Sequence, residues 1–157
     1  DDQGAKSDEN GILHKWWSAQ DEESFKALTD KLADQYSKFE ALPGLFVNGR
    51  LTLGENIGDL GGLNVALEAY KISLGGKPTP VIDGFTGIQR FYLGFGQVWR
   101  SLIRDEELRN RIVADPHSPA EFRANGTVRN TDEWYEAFAV KEGAKLYIPP
   151  DRRVRIW

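Results

Sequence analysis

The sequence predicts a mainly α-helical fold with one short β-hairpin. Apolar residues recur every three to four positions along most of the 157-residue chain, which is the spacing of a helix face. The pair Asn48-Gly49 lies between two short apolar runs, 45–47 and 50–53, and this is the strongest local signal for a hairpin. The length and a hydrophobic fraction of 40% fit one compact domain over residues 1–157.

The first half of the chain predicts two helices on either side of the hairpin. Ser18 and Asp21 have the spacing of a capping box, which marks a helix start. Apolar residues then follow at helical spacing: Phe25, Leu28, Leu32, Tyr36 and Phe39. Leu42-Pro43-Gly44 ends this helix, because proline cannot continue it and glycine tolerates the turn. A second helical pattern runs from Gly54 to Leu74.

The second half predicts four more helices after a Gly- and Pro-rich loop at 75–84. The clearest amphipathic helix extends from Thr86 to Ile103. Its apolar face consists of Ile88, Phe91, Tyr92, Phe95, Val98, Trp99 and Leu102. A short helix is expected at 105–114, and Ser118-Pro119 places an N-cap serine before a proline at the first helical position. A last helix, at 132–138, precedes an extended tail.

Composition excludes several classes of function. With 20 basic and 24 acidic residues and no long basic block, the chain predicts no nucleic-acid surface. The absence of cysteine excludes disulfides, thiolate metal sites and cysteine nucleophiles. The apolar stretches are too short to span a bilayer. The opening Asp1-Asp2-Gln3-Gly4 is acidic and turn-like, and we expect it to continue from a longer polypeptide.

The segment from Gly54 to Leu63 carries the clearest chemical pattern. Helix geometry puts Glu55 and Asp59 one turn apart on one face, where two carboxylates repel unless a positive group lies beside them. In one interpretation Glu55 favours the helix dipole and Asp59 faces water. In the other, Glu55 binds a metal and Asp59 accepts a hydrogen bond from a metal-bound histidine. The glycines here each cost about 1 kcal/mol in a helix, which predicts that another backbone passes close to them.

A second feature is the run from Asp115 to Arg123, which contains His117. His117 precedes a capped helix, and Arg123 lies about one and a half turns inside it. An imidazolium and a guanidinium presented together could hold a developing oxyanion and a substrate carbonyl. The alternative is a loop histidine bonded to a backbone carbonyl and an arginine on a solvated helix face.

Taken together, these segments resemble the neprilysin and endothelin-converting-enzyme family of zinc metallopeptidases. The residues that carry the resemblance run in order along nearly the whole chain: Asp1–Gly4, Trp16-Trp17-Ser18 with Asp21, Gln35-Tyr36, Asn48–Gly62, Gln97–Arg100, His117-Ser118-Pro119 with Arg123, Asn125-Gly126-Thr127 and Arg155-Ile156-Trp157. The glycine-rich segment around Glu55 is the most specific of these motifs.

The resemblance implies roles for individual residues. It makes Glu55 the third protein ligand of one catalytic Zn²⁺ and Asp59 the residue that orients a zinc-bound histidine. It implies that His117 stabilises the transition state and that Arg123 grips the backbone of a peptide substrate. Each of these positions matches the corresponding family motif in this sequence.

The resemblance also implies a fold and a pocket. Val98 and Trp99 match positions that help line the pocket for the residue after the scissile bond. The expected fold is similar to the C-terminal half of a thermolysin-like catalytic domain. The lack of cysteine suits a bacterial member that is periplasmic or secreted.

One departure from the family pattern concerns the zinc-binding helix. In relatives an H-E-x-x-H motif, which supplies two histidine ligands and the water-activating glutamate, stands immediately before the Asp-Asp-Gln-Gly stretch. His14 and His117 lack the spacing to replace it. We therefore expect the remaining zinc ligands to come from an upstream part of the same polypeptide, and this chain alone to be inactive.

Two alternatives stay open at the level of sequence. The chain could act as a non-catalytic helical interaction domain, or as a subunit that completes a site on another chain. It could also be a structural module with an incidental resemblance, but such a module must explain the glycines around Glu55.

Overall fold

The computed structural model describes residues 2–156. Asp1 and Trp157, which are both part of the family resemblance, lie outside the described residues. The helices and strands within that range are α1 (Ala19–Tyr36), β1 (Glu40–Leu42), β2 (Leu45–Phe46), α2 (Leu53–Ser73), α3 (Gly87–Val98), α4 (Asp105–Ala114), α5 (Ala120–Val128) and α6 (Asp132–Phe138). The two strands pair antiparallel. The predicted class, mainly helical with one hairpin, is confirmed.

Across residues 2–156, no helix is both long and apolar enough to cross a membrane.

The start of α1 is as predicted, but its end is not. The Ser18 hydroxyl accepts the backbone N–H of Asp21 at 3.2 Å and so caps the helix. The helix stops at Tyr36, seven residues before the predicted stop at Pro43. Phe39 therefore leaves the helical face and stacks on Phe122 of α5, with 4.7 Å between the ring centroids.

The hairpin turns at Pro43-Gly44 and not at Asn48-Gly49, so the predicted position is wrong. Gly44 has a φ of +74° and supplies the left-handed conformation that the turn requires. The Asn48 side chain instead accepts the backbone N–H groups of Arg50 and Leu51 at 3.2 and 3.0 Å, which closes a turn before α2. Gly49 is needed for a close approach, since a Cβ there would lie 2.0 Å from the carbonyl oxygen of Ala33.

The core consists of two apolar clusters that share α2. The first cluster joins α1, the start of α2 and the C-terminal segment, and its fully buried members include Leu32, Tyr36, Ile57, Leu60 and Val154. The second joins α2 to α3 and α5, and its buried members are Leu63, Leu67, Tyr92 and Val128. Each large apolar side chain buried in this way contributes roughly 1.5–3 kcal/mol. Because α2 is anchored at both ends, the direction of its remaining faces is fixed.

The bounds of three other helices differ from the prediction, and α2 does so by only one residue at each end, 53–73 against 54–74. The helix α3 ends at Val98, so Leu102 lies outside it and is fully exposed. The helix α5 begins at Ala120, and Ser118 is not its cap. The Ser118 hydroxyl instead donates to the side-chain oxygen of Asn56 at 2.8 Å. The hydroxyl thus links the segment before α5 to α2 and does not cap the start of α5.

The sequence predicts that another backbone passes close to the α2 glycines, and the structure does not show this at Gly54, Gly58 or Gly62. A Cβ at Gly54 would lie 2.9 Å from a side-chain carboxylate oxygen of Asp2, whereas the Asp2 backbone nitrogen is 3.9 Å away, an ordinary contact distance. Among residues 2–156, no atom other than those of the helix and the chain neighbours lies within 4 Å of a Cβ built at Gly58 or Gly62. The expected backbone is therefore not supplied at these two positions by the part of the chain that the structure describes.

Candidate active site

The first turns of α2 present Glu55 and Asp59 on one face. Of the three residues between them, Asn56 and Ile57 are fully buried and hold their side of the helix against the core. The Asp59 side chain is only 10% exposed, whereas that of Glu55 is 43% exposed. The interpretation in which Asp59 faces water is therefore wrong. The two carboxylates share a face, as the spacing predicted, but only Glu55 remains open to solvent.

Arg123 on α5 is the positive group beside these carboxylates. Its Nε and Nη2 donate to the two oxygens of Asp59, each at 2.6 Å, and Nη2 lies 3.4 Å from Glu55 Oε2. Burial lowers the pKa of Arg123, but the hydrogen bonds and charge of Asp59 and the charge of Glu55 outweigh it and leave the pKa above its ordinary value. The repulsion between the carboxylates is thus relieved within the described residues, and the interpretation of Arg123 as a solvated surface residue is wrong.

Trp99 also contacts this arginine, through its ring. Its ring lies 4.1 Å from the guanidinium carbon of Arg123, a cation–π geometry. Trp99 follows directly after α3, and the preceding Val98 is 74% exposed. Val98, Trp99, His117 and Arg123 all line one cavity of about 520 Å³. The residues that the sequence assigned to a substrate pocket are therefore brought together.

His117 lies between two carboxylates. Its Nε2 is 3.2 Å from Glu55 Oε2, and its Nδ1 is 2.7 Å from Asp115 Oδ1. The same Asp115 oxygen accepts the backbone N–H of His117 at 2.9 Å. These backbone and side-chain hydrogen bonds hold the pKa of Asp115 below its usual value. Since ionised carboxylates only accept hydrogen bonds, a ring nitrogen of His117 that bonds to either carboxylate does so by donating an N–H.

A buried polar chain joins the two elements of the site, and sequence reasoning missed it. Asn56, which follows Glu55, accepts from Ser118, which follows His117. Asn56 in turn donates to the hydroxyl of Thr52 at 3.0 Å. The three side chains are no more than 3% exposed. The signal that could have found them is a small polar residue directly beside each proposed functional residue.

The described residues do not form a metal site by themselves. Within residues 2–156 no group of three or more His, Cys, Asp or Glu side chains is arranged to hold a metal ion. Glu55 fits the role of a single ligand, because its carboxylate is half exposed at the point where His117 and Arg123 converge. A tetrahedral zinc site would need further protein ligands from elsewhere.

Comparison with known proteins decides the family. The sequence profile described as peptidase family M13 matches residues 1–154. The chain belongs to peptidase family M13. The endothelin-converting enzyme homolog of Locusta migratoria is 40% identical over 161 residues, and endothelin-converting enzyme 1 of Homo sapiens is 39% identical over 160. Both alignments cover all of this M13 chain but only 22% and 20% of the relatives. The chain thus spans about a fifth of their length, and the resemblance to this metallopeptidase family is confirmed.

Solved structures agree with the family assignment. The zinc metalloprotease Zmp1 of Mycobacterium tuberculosis, in complex with an inhibitor, matches with a TM-score of 0.96 and 52% identity, covering 100% of the M13 chain and 25% of that protein chain. PepO from Lactobacillus rhamnosis matches with a TM-score of 0.82 and 35% identity, covering 98% and 23% respectively. The fold is therefore that of part of an M13 metallopeptidase.

Proposed function

We propose that this M13 chain forms one side of the active site of a zinc metallopeptidase that hydrolyses peptide bonds. One observation carries the proposal. A half-exposed carboxylate oxygen of Glu55 lies 3.2 Å from the His117 ring and 3.4 Å from the Arg123 guanidinium, beside a cavity of about 520 Å³. A carboxylate, an imidazole and a guanidinium thus lie together beside a space that a substrate could enter.

In this proposal Glu55 is one ligand of a catalytic zinc, and the other ligands and the water-activating glutamate come from an upstream H-E-x-x-H segment of the same polypeptide. Zinc, when bound, supplies a Lewis acid and lowers the pKa of a water molecule. Glu55 would hold the metal through the carboxylate that here contacts His117. The Nε2 of His117 would then be free to face the substrate, with Asp115 holding Nδ1 at 2.7 Å.

His117 and Arg123 act on the peptide itself. The His117 Nε2–H donates to the oxyanion that develops on the scissile carbonyl. Arg123 has committed Nε and Nη2 to carboxylates, whereas its Nη1 makes no hydrogen bond to residues 2–156. Nη1 is therefore the donor available to a neighbouring carbonyl of the substrate. Val98 and Trp99, at the cavity wall, contact the side chain of the residue after the scissile bond.

Asp59 acts through its neighbours. Each carboxylate oxygen has two lone pairs, so Asp59 can keep its paired hydrogen bonds with Arg123 and also accept the spare N–H of a zinc-bound histidine. Its low exposure of 10% keeps that contact strong, because little water competes. Asp59 thus links the orientation of the metal ligand to that of the substrate-binding arginine.

Two substitutions test the proposal. Both are made in the longer polypeptide, which contains this chain together with its upstream zinc-binding helix. We expect Glu55→Gln to lose at least nine-tenths of the bound zinc and the peptidase activity together, because a neutral amide is a poor zinc ligand. His117→Phe should keep zinc stoichiometric while kcat falls roughly 100-fold, as on loss of an oxyanion donor. Metal analysis and cleavage of a peptide library measure both.

The control is Glu68→Gln, which lies on the same helix and is 63% exposed in its ion pair with Lys71. It should leave zinc content and kcat unchanged. Full zinc occupancy in Glu55→Gln would remove Glu55 from the ligand set. A wild-type polypeptide that binds no zinc and cleaves no peptide would instead favour a non-catalytic interaction domain.

A further inference from the structure

Arg129 is a partly buried cation that has no acidic partner within residues 2–156. It follows directly after α5, and its Nε–H is buried with no hydrogen-bond acceptor among residues 2–156. Its guanidinium carbon lies 5.6 Å from the ring centroid of Phe39. Burial lowers the pKa of Arg129, and the opposing influences come from the phenols of Tyr135 and Tyr36 and not from a carboxylate. The two Nη nitrogens of Arg129 also have no hydrogen-bond acceptor among residues 2–156, and these are the donors that a ligand could meet.

The other shielded arginines of the chain are paired. Arg123, with a side chain 13% exposed, is held by both oxygens of Asp59. Arg153, 10% exposed, donates to Asp132 at 2.7 Å and to the carbonyl of Ile148. Proteins generally bury an arginine only with such partners. Arg129 departs from that rule within the part of the chain that the structure describes.

Arg129 opens into a cavity of about 410 Å³, a volume typical of small-ligand pockets. The lining residues are Phe39, Phe122, Asn125, Leu146, Arg129, Lys38, Lys145, Glu40 and Glu121. Phe39 and Phe122 stack to form an apolar wall. Three cations face two carboxylates, and the Glu40 carboxylate already accepts the N–H of Gly44 at 2.7 Å. The cavity thus combines an apolar wall with excess positive charge.

This cavity adjoins the cavity of the candidate active site, because Glu121 and Phe122 line both, but it holds a different arginine. Arg129 comes six residues after Arg123, and at about 100° per residue the two side chains leave the helix roughly 240° apart. None of the catalytic candidates Glu55, Asp59 or His117 lines it. An activity at Arg129 therefore does not depend on the proposed peptidase mechanism.

We propose that this cavity binds the terminal carboxylate of a peptide whose last side chain is apolar. The carboxylate pairs with the Arg129 guanidinium, which can donate two parallel hydrogen bonds to it. The apolar side chain lies against Phe39 and Phe122. Asn125 offers a further amide group to the peptide backbone.

The test compares two probes that differ only in charge. N-acetylphenylalanine carries the carboxylate, and N-acetylphenylalaninamide replaces it with a neutral amide. We expect the carboxylate probe to shift the NMR signals of the Phe39 and Phe122 rings saturably and to bind at least tenfold more tightly than the amide. Equal affinities, or no saturable binding of the carboxylate, would overturn the proposal.

A variant then assigns the binding to the guanidinium. Arg129→Met keeps an unbranched stem against Phe39 but removes the charge, so binding of the carboxylate probe should fall at least tenfold. Its melting temperature should not fall, because the removed cation has no ionic partner to lose. The control Arg109→Met, on the exposed surface of α4, should bind like the parent. Undiminished binding in Arg129→Met, or a melting point several degrees lower, would instead make Arg129 a purely structural residue.

Discussion

Arg123 makes contacts with most of the other residues of the candidate site. It joins α5 to α2 through Asp59, approaches Glu55, and rests on the ring of Trp99. Both partners of the Asp59 pair are at least 87% shielded from solvent, so the pair behaves as a buried salt bridge. Pairs of this kind stabilise a fold little compared with apolar packing, but breaking one leaves an uncompensated charge.

The prediction at this scale is that Asp59→Asn destabilises the chain by roughly 3–5 kcal/mol, because the Arg123 guanidinium loses its buried counter-charge. The free energy of unfolding, measured with urea, checks it. The exposed pair of Glu107 with Arg111 gives the control, since Glu107→Gln should leave the unfolding midpoint unchanged. Equal effects of the two substitutions would show that the Asp59 pair is not shielded.

At the scale of elements, α5 crosses α1 at a glycine. A Cβ at Gly126 would lie 2.6 Å from the Tyr36 ring, and the Tyr36 hydroxyl is 3.3 Å from Thr127 Oγ1. This close approach sets the depth at which α5 packs. The position of α5 in turn determines where Arg123 meets α2.

We therefore predict that Gly126→Ala destabilises the chain by about 1–3 kcal/mol, since the added methyl group overpacks the crossing and outweighs the gain in helix propensity. Gly94→Ala is the matched control, because Gly94 is also helical but its Cβ would meet open space. That control should stabilise by up to about 1 kcal/mol. Thermal melting of the two variants measures the difference, and a stabilised Gly126→Ala would contradict the crossing.

The sequence could predict elements whose signals are local. The helices α4 and α6 match their predicted bounds, 105–114 and 132–138, because charge patterns and periodicity mark both ends. The sequence predicts the wrong position for the hairpin, because Pro43-Gly44 and Asn48-Gly49 are both good turn formers. Only the packing of Gly49 on the carbonyl of Ala33, a tertiary contact, decides between them.

In the candidate site, too, the sequence predicts local relations between residues but not contacts between distant segments. Helical spacing put Glu55 and Asp59 on one face, and the structure confirms that they share it. The pairing of Arg123 with Asp59 bridges 64 residues and has no local signature. Likewise, a serine before a proline predicts a helix cap at Ser118, but the Ser118 hydroxyl donates to Asn56, a partner 62 residues away.

For the whole molecule, each of the two apolar clusters contains a buried phenol. Tyr36 lies in the first and Tyr92 in the second. Burial raises the pKa of Tyr92 to about 12 and that of Tyr36 well above its ordinary value. Both phenols are therefore held neutral in the folded state at a pH where an unfolded chain, with a tyrosine pKa of about 10, begins to ionise.

This linkage predicts alkaline sensitivity. Because the folded pKa is raised, the stabilisation is complete below about pH 10 and is lost as the pH rises towards the folded values. The free energy of unfolding, measured between pH 8 and 11.5, should fall steadily over the upper part of that window. Tyr36→Phe should make the fall shallower, whereas Tyr70→Phe, at a partly exposed position, should not. An unchanged slope in Tyr36→Phe would exclude this phenol as a cause.

The hydrogen bond between Ser118 and Asn56 couples the effects of substitutions at two positions that are 62 residues apart. Replacing either partner alone strands a polar atom in the interior at a cost of about 1–3 kcal/mol, whereas exchanging both for apolar groups of similar shape can be nearly neutral. Mutational drift at the two codons is therefore expected to be correlated. Neighbours of Glu55 and of His117 would change together or not at all in the descent of this lineage.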